Sequence, residues 1–153
     1  MKTYCILFLT FVFSIQSFGQ NSKNAQLVKN VVLAFQDDFN EGGFKNAKLY
    51  TTVDWEHINP GGGITKGREE VLKEVRAVHQ TFLKGVSMTI ESIGIRFLTP
   101  TVAIANVVHI ISEYELPQGV KHQNERQIKT YVIVKRQNVW LLTLDQNTVI
   151  AGY

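Results

Sequence analysis

His57 and His79 are the side chains of this sequence best suited to moving a proton, because an unperturbed imidazole titrates near neutral pH. His57 stands in a stretch, 52–59, in which Val53, Trp55, His57 and Asn59 alternate with Asp54, Glu56 and Ile58. The first of these faces changes from apolar to polar towards Pro60-Gly61-Gly62-Gly63. A pocket wall has that gradient, and so does a wet rim that stabilises a turn. His79 shares a helical stripe with Val75, Val78 and Phe82, either as a satisfied core residue or as a pocket histidine. In 121–136 the even positions repeat the gradient, with Arg126 and Thr130 at the polar end and Val132 and Val134 at the apolar end. A buried Arg126 requires an acidic or carbonyl partner, which a ligand carboxylate supplies; a solvated Arg at a strand end is the alternative. Trp140, Leu142 and Leu144 make the bulky face of the last strand and Gln146 continues it inward, which turns Asp145 and Asn147 outward. His109 lies on a strand that is apolar on both parities, so the pattern leaves its direction open. The expected ligand-binding set is therefore Trp55, His57, Asn59, His79, His109, Arg126, Thr130 and Gln146. Asp54, Glu56 and Asp145 all read outward, so no carboxylate is expected inside.

Other chemistries fit poorly. No pair of histidines has the i, i+4 spacing of a helical zinc site, and no metal is expected. The single cysteine, Cys5, and the lack of Gly-x-Ser-x-Gly argue against nucleophilic catalysis. Gly62 to Gly67 has the glycine spacing of a phosphate loop, but Arg68 and Glu69 stand where Lys and Ser/Thr are needed. No cofactor is expected. The 153 residues are 44% hydrophobic and 19% charged, which suits one domain with a core. The net charge of +3 is scattered along the chain, without the basic patch of a nucleic-acid binder.

Elements must bring these residues together. Val28, Val31, Val32, Phe35 and Phe39 predict a helix over 22–40, closed by Gly42-Gly43, and 52–59 predicts a strand. A second helix is expected from Gly67 to Leu83, with Glu69 and Glu70 in its first turn. From Val86 on the period is two, predicting strands near 86–98, 101–116, 121–136 and 139–149. The first of these changes phase at Glu91-Ser92, which predicts a bulge. The expectation is an α+β cone: a strongly curved antiparallel sheet with two to three helices covering its concave face. On 101–116, Val102, Ile104, Val108 and Ile110 oppose Ala103, Ala105, Val107 and Ile111, so one set needs a second cover and a homodimer is expected.

Met1-Lys2, the apolar run Tyr4–Ile15 and the small residues Ser17 and Gly19 form a three-part secretory signal. Residues 1–19 are thus expected to be removed, leaving 20–153 as one exported domain, periplasmic or secreted, with no stable membrane anchor. Asp54-Trp55, Asn59-Pro60 with its glycines, Gly67-Arg68-Glu69-Glu70, Pro100-Thr101-Val102-Ala103, and Trp140 with Gln146-Asn147-Thr148 occur in an order that spans this domain. In that order the chain resembles the SnoaL-like members of the nuclear-transport-factor-two-like superfamily, nearest the group labelled SgcJ/EcaC. The resemblance implies the cone and, again, a dimer; it does not choose among isomerases, cyclases, dehydratases, hydrolases and binding domains. The leading expectation is a domain that binds a small, partly apolar molecule in its cone. The alternatives are a histidine-dependent lyase, isomerase or cyclase, and an assembly module with a filled cone. A buried His–carboxylate pair facing a cavity would favour the enzyme.

Overall fold

The structure is a computed structural model that describes the backbone of residues 4–151 and the side chains of residues 22–151. The expected leader, 1–19, lies outside the residues described with side chains. Helix α1 (Tyr4–Glu41) buries Val28, Val31, Val32 and Phe35, as their spacing predicts. It stops at Gly42, whose φ of 71° lets its N–H reach the carbonyls of Asp38 and Phe39. A short α2 (Ala47–Tyr50) leads into β1 (Thr51–Ile58), then β2 (Ile64–Lys66) and α3 (Arg68–His79). The remaining strands are β3 (Met88–Thr99), β4 (Val102–Ile111), β5 (Tyr114–Glu115), β6 (Lys121–His122), β7 (Glu125–Arg136) and β8 (Val139–Val149). Two of the expected strands thus each split in two, and β5 pairs with β6 as a separate small hairpin. Among the described residues no helix is long and apolar enough to cross a membrane.

The main sheet has six strands in the order β2-β1-β8-β7-β4-β3. All neighbours are antiparallel except β1 and β8, which run parallel and bring the first strand beside the last. The architecture is the expected curved α+β sheet with helices over one face. β3 carries its irregularity at Glu91, between the pairs Ile90↔His109 and Ser92↔Val108, where the phase change predicts it. A second irregularity lies in β8: Val132 pairs with Leu144 but Ile133 pairs with Leu142, so Thr143 is the extra residue. Leu142 and Asp145 therefore both point inward, and the inward series continues through Asn147 instead of Gln146.

Phe35 is the hub of the core. Its ring meets Phe44, Trp55 and Tyr131 edge to face at 5.7, 6.3 and 5.5 Å, joining α1 to β1 and β7. Truncating it to Ala is expected to cost about 3–5 kcal/mol. Polar ties fix the helices on the sheet. The Asn40 side chain exchanges hydrogen bonds with the backbone of Met88, and Arg76 donates to the carbonyls of Gly43 and Phe44. Arg68, at the start of α3, donates to the hydroxyl and carbonyl of Thr51.

Candidate functional site

β8 lies between β1 and β7, so its inward side chains receive neighbours from both flanks. Trp55 and His57, two residues apart on one face of β1, approach Asp145 from one side, and Lys129 of β7 approaches from the other. The Trp55 indole N–H donates to Asp145 Oδ1 at 2.7 Å. His57 Nδ1 and Lys129 Nζ both lie 2.8 Å from Oδ2. Asp145 is fully buried, and Lys129 and His57 nearly so. A carboxylate taken out of water costs several kcal/mol unless it is compensated, and here three donors compensate it. Burial alone would raise the Asp145 pKa; Lys129 and then His57 outweigh it and hold the carboxyl well below its usual range. Burial lowers Lys129 below an ordinary lysine, against the upward pull of Asp145. The pair is lopsided because the carboxylate has several donors, whereas the ammonium has one acceptor.

With Asp145 ionised and accepting from Nδ1, the Nε2 of a neutral His57 ring is an acceptor. It has no hydrogen-bond partner among the described residues, and His57 lines a cavity of about 410 Å³ between the helices and the concave sheet face. The walls are largely apolar, with Phe35, Phe39, Phe44, Phe82 and Met88 among them. Lys129, His109, Gln127 and Asn147 add polar groups from the sheet. Asn59 Oδ1 accepts from the N–H groups of Gly61 and Gly63, and its amide donates to Glu74, whose second oxygen accepts from the Thr65 hydroxyl. A Cβ on Gly63 would lie 2.6 Å from Asn59 Nδ2, so a side chain there would displace the Asn59 amide.

The other two histidines on the wall are held differently. His79 donates from Nδ1 to the carbonyl of Val75 at 2.7 Å, with its ring edge to face with Phe39 and Phe44. Its burial lowers its pKa. His109 Nε2 lies 3.0 Å from the Tyr131 hydroxyl. One hydrogen bond joins the two groups, and His109 Nδ1 is buried with no hydrogen-bond partner among the described residues. Burial, then Lys129, push the His109 pKa down to about 3, so the ring is neutral at physiological pH.

The structure brings His57, Asn59, His79 and His109 to the cavity, with Trp55 behind His57. It does not bring Arg126, Thr130 or Gln146 there. Arg126 is exposed and pairs with Glu91 at 2.5 Å, and Thr130 donates to Asn106 on the convex side. Gln146 is exposed on that side too, because the extra Thr143 reverses the parity of β8. On β7 the inward face is the odd one, which carries Gln127, Lys129, Tyr131 and Ile133. The even face was the more apolar of the two and so looked like the core side. Val53 is also corrected, being 65% exposed although Trp55 and His57 on the same parity are buried. Sequence reasoning missed Asp145 and Lys129, and with them the buried carboxylate it expected to be absent.

No protein-family model matches the sequence, and no curated protein matches it. Solved structures do. An uncharacterized protein with a cystatin-like fold from Caulobacter vibrioides aligns at TM-score 0.80, with 21% identity over 85% of this chain and 92% of that one. A nuclear-transport-factor-two-like protein with a cystatin-like fold, from Novosphingobium aromaticivorans, aligns at 0.74, with 11% identity over 91% of this chain and 90% of that one. The fold is nuclear-transport-factor-two-like. A hexachlorocyclohexane dehydrochlorinase shares it at TM-score 0.71, with 14% identity over 88% of this chain and 93% of that one. Identities this low establish the nuclear-transport-factor-two-like architecture and no activity.

Proposed function

We propose that the cavity is an active site in which His57, oriented by Asp145, moves a proton on a small, largely apolar ring compound, as a lyase or isomerase does. The observation that carries this reading is the His57–Asp145 pair, 2.8 Å apart, with His57 on the wall of a largely apolar cavity and its second nitrogen without a hydrogen-bond partner among the described residues. Asp145 fixes the tautomer and stabilises the imidazolium that forms when Nε2 takes a proton from carbon. Lys129 keeps Asp145 ionised. With His57 neutral the buried trio is balanced; once protonated it carries one net positive charge, which suits an anion generated in the same step. The proton then returns to another carbon in an isomerisation, or accompanies a leaving group in an elimination. Simple binding requires no such trio, and a filled assembly module is disfavoured because Trp55 lies behind the wall and the cavity stays open. Within the superfamily we place the chain nearest the SnoaL-like group, on the motifs from Asp54-Trp55 to Gln146-Asn147-Thr148. We further propose that it acts as an exported homodimer, on the strength of its leader-like first nineteen residues and its apolar convex face.

The test is proton NMR in deuterated water. The probes are ring compounds bearing either a C–H next to a carbonyl or a C–H next to a carbon with a leaving group. The wild type should exchange or eliminate at least one of them, and His57→Gln should be slower by about 10²–10⁴. Inertness of the wild type towards the whole panel, or full activity in His57→Gln, would refute the reading.

A further inference from the structure

Lys129 holds Asp145 ionised in the proton transfer proposed for His57, but its own amine makes and breaks no bond there. Lys129 is 3% exposed, yet it is among the residues that line the cavity. Among the described residues it makes one hydrogen bond, to Asp145, and it stands 4.0 Å from the centroid of the Phe35 ring. Other lysines lie in water: the side chains of Lys48, Lys66 and Lys73 are 67%, 74% and 81% exposed. Covalent capture of a carbonyl compound by an amine has three requirements: partial desolvation that weakens the hold on the proton, an apolar chamber for the carbonyl, and a nearby proton carrier. Burial meets the first, since it holds Lys129 below an ordinary lysine despite Asp145. The cavity meets the second. His57 meets the third, because it lines the same cavity as Lys129 and is held beside it on one oxygen of Asp145.

We propose that Lys129 is an imine-forming lysine that captures an aldehyde or ketone entering the cavity. One proton passes from the ammonium to His57, and the free amine attacks the carbonyl carbon. The C–N bond forms as the C=O π pair moves to oxygen, which takes a proton from the nitrogen. His57 returns its proton to the resulting hydroxyl, which leaves as water while the nitrogen lone pair closes the C=N bond. The net change is ammonium plus carbonyl to iminium plus water, with charge conserved and no redox step. The iminium keeps the positive charge that Asp145 requires, so the buried pair survives.

The full chain is incubated at neutral pH with benzaldehyde and sodium cyanoborohydride, which reduces the C=N bond and leaves a stable benzyl group on nitrogen. Peptide mapping over time then ranks the lysines. Access alone favours Lys48, Lys66 and Lys73. Each unit by which Lys129 lies below them gives about tenfold more free amine, so Lys129 should be labelled first and should lose its lead in urea. Lys129→Arg, which keeps a cation for Asp145, should remove the cavity adduct; the wild-type map decides alone if that variant does not fold. Labelling of Lys129 level with or behind the exposed lysines would overturn the proposal. His57-dependent proton transfer could still stand in that case, since it does not require the imine.

Discussion

Replacing Asp145 by Asn preserves the shape of the side chain but leaves the Lys129 charge buried without its partner. A broken buried pair of this kind costs about 3–5 kcal/mol, so urea unfolding of Asp145→Asn should show a loss of that order. Adding Lys129→Met should restore much of it, because an apolar pair of similar volume is often no worse than the ion pair. An additive double mutant would show that the two charges are not coupled. The folded Asp145 stays ionised below the usual carboxylate range, whereas the unfolded one titrates near 3.8. Its contribution is therefore complete above about pH 4 and declines as the pH falls further. His109 has an earlier window. The unfolded ring gains a proton near 6.5 while the folded one resists until about 3, so stability should fall as the pH drops between those values. In His109→Gln the slope over that interval should flatten, as read from urea midpoints at several pH values.

At the scale of elements, the extra residue in β8 does the aiming. Side chains on a strand alternate, so deleting Thr143 should turn Asp145 away from Trp55, His57 and Lys129. The expected outcome is a large loss of cooperativity in thermal unfolding together with loss of any His57-dependent activity. This irregularity also explains what could be foreseen. The bulge in β3 was legible because apolar residues lie on both sides of it and their phase visibly changes at Glu91. The one in β8 was not, since Leu142 and Leu144 continue a regular alternation and only the pairing with β7 exposes the skip. β7 misled for a different reason: its site-bearing face uses positions on Gln127 and Lys129, which are satisfied internally, while its outer face is apolar. Trp55 and His57 were correctly oriented because β1 alternates cleanly there. The hairpin of β5 and β6 carries its own pH dependence. His122 Nδ1 lies 2.8 Å from Glu125 and Nε2 lies 2.9 Å from the Leu116 carbonyl. Both partners are acceptors, so both bonds require the imidazolium. The Leu116 carbonyl, then Glu125, raise the His122 pKa above 6.5. The clamp is complete below 6.5 and is lost as the pH rises through the raised value. Tyr114 and Leu116 line the cavity, so loosening there loosens part of its wall. Protection of the Leu116 and Val120 amides, taken relative to the intrinsic base-catalysed exchange rate, should fall across that rise, and protection that stays constant with pH would exclude the clamp.

For the whole molecule, the outer face of the sheet bears half-buried Val102, Ile104, Val108 and Ile110 on β4, next to Ile128, Val132 and Val134 on β7. The proposed homodimer covers this face. Sedimentation at micromolar concentration should give twice the chain mass, and Val132→Lys should shift it to the monomer; a wild-type monomer would leave the face without that explanation. Intact mass from the native host should begin at Gln20, and soluble protein retaining Met1 would remove the case for export. The parallel contact of β1 with β8 has a further consequence, which concerns time. His57 and Asp145 are 88 residues apart in sequence. The pair forms only when the last strand inserts between β1 and β7, closing one of the longest loops in the chain. Until that strand docks, Lys129 waits without its counter-charge in a half-built sheet. The His57–Asp145 pair is then assembled in the same event that completes the sheet, which makes the pair a reporter of strand insertion.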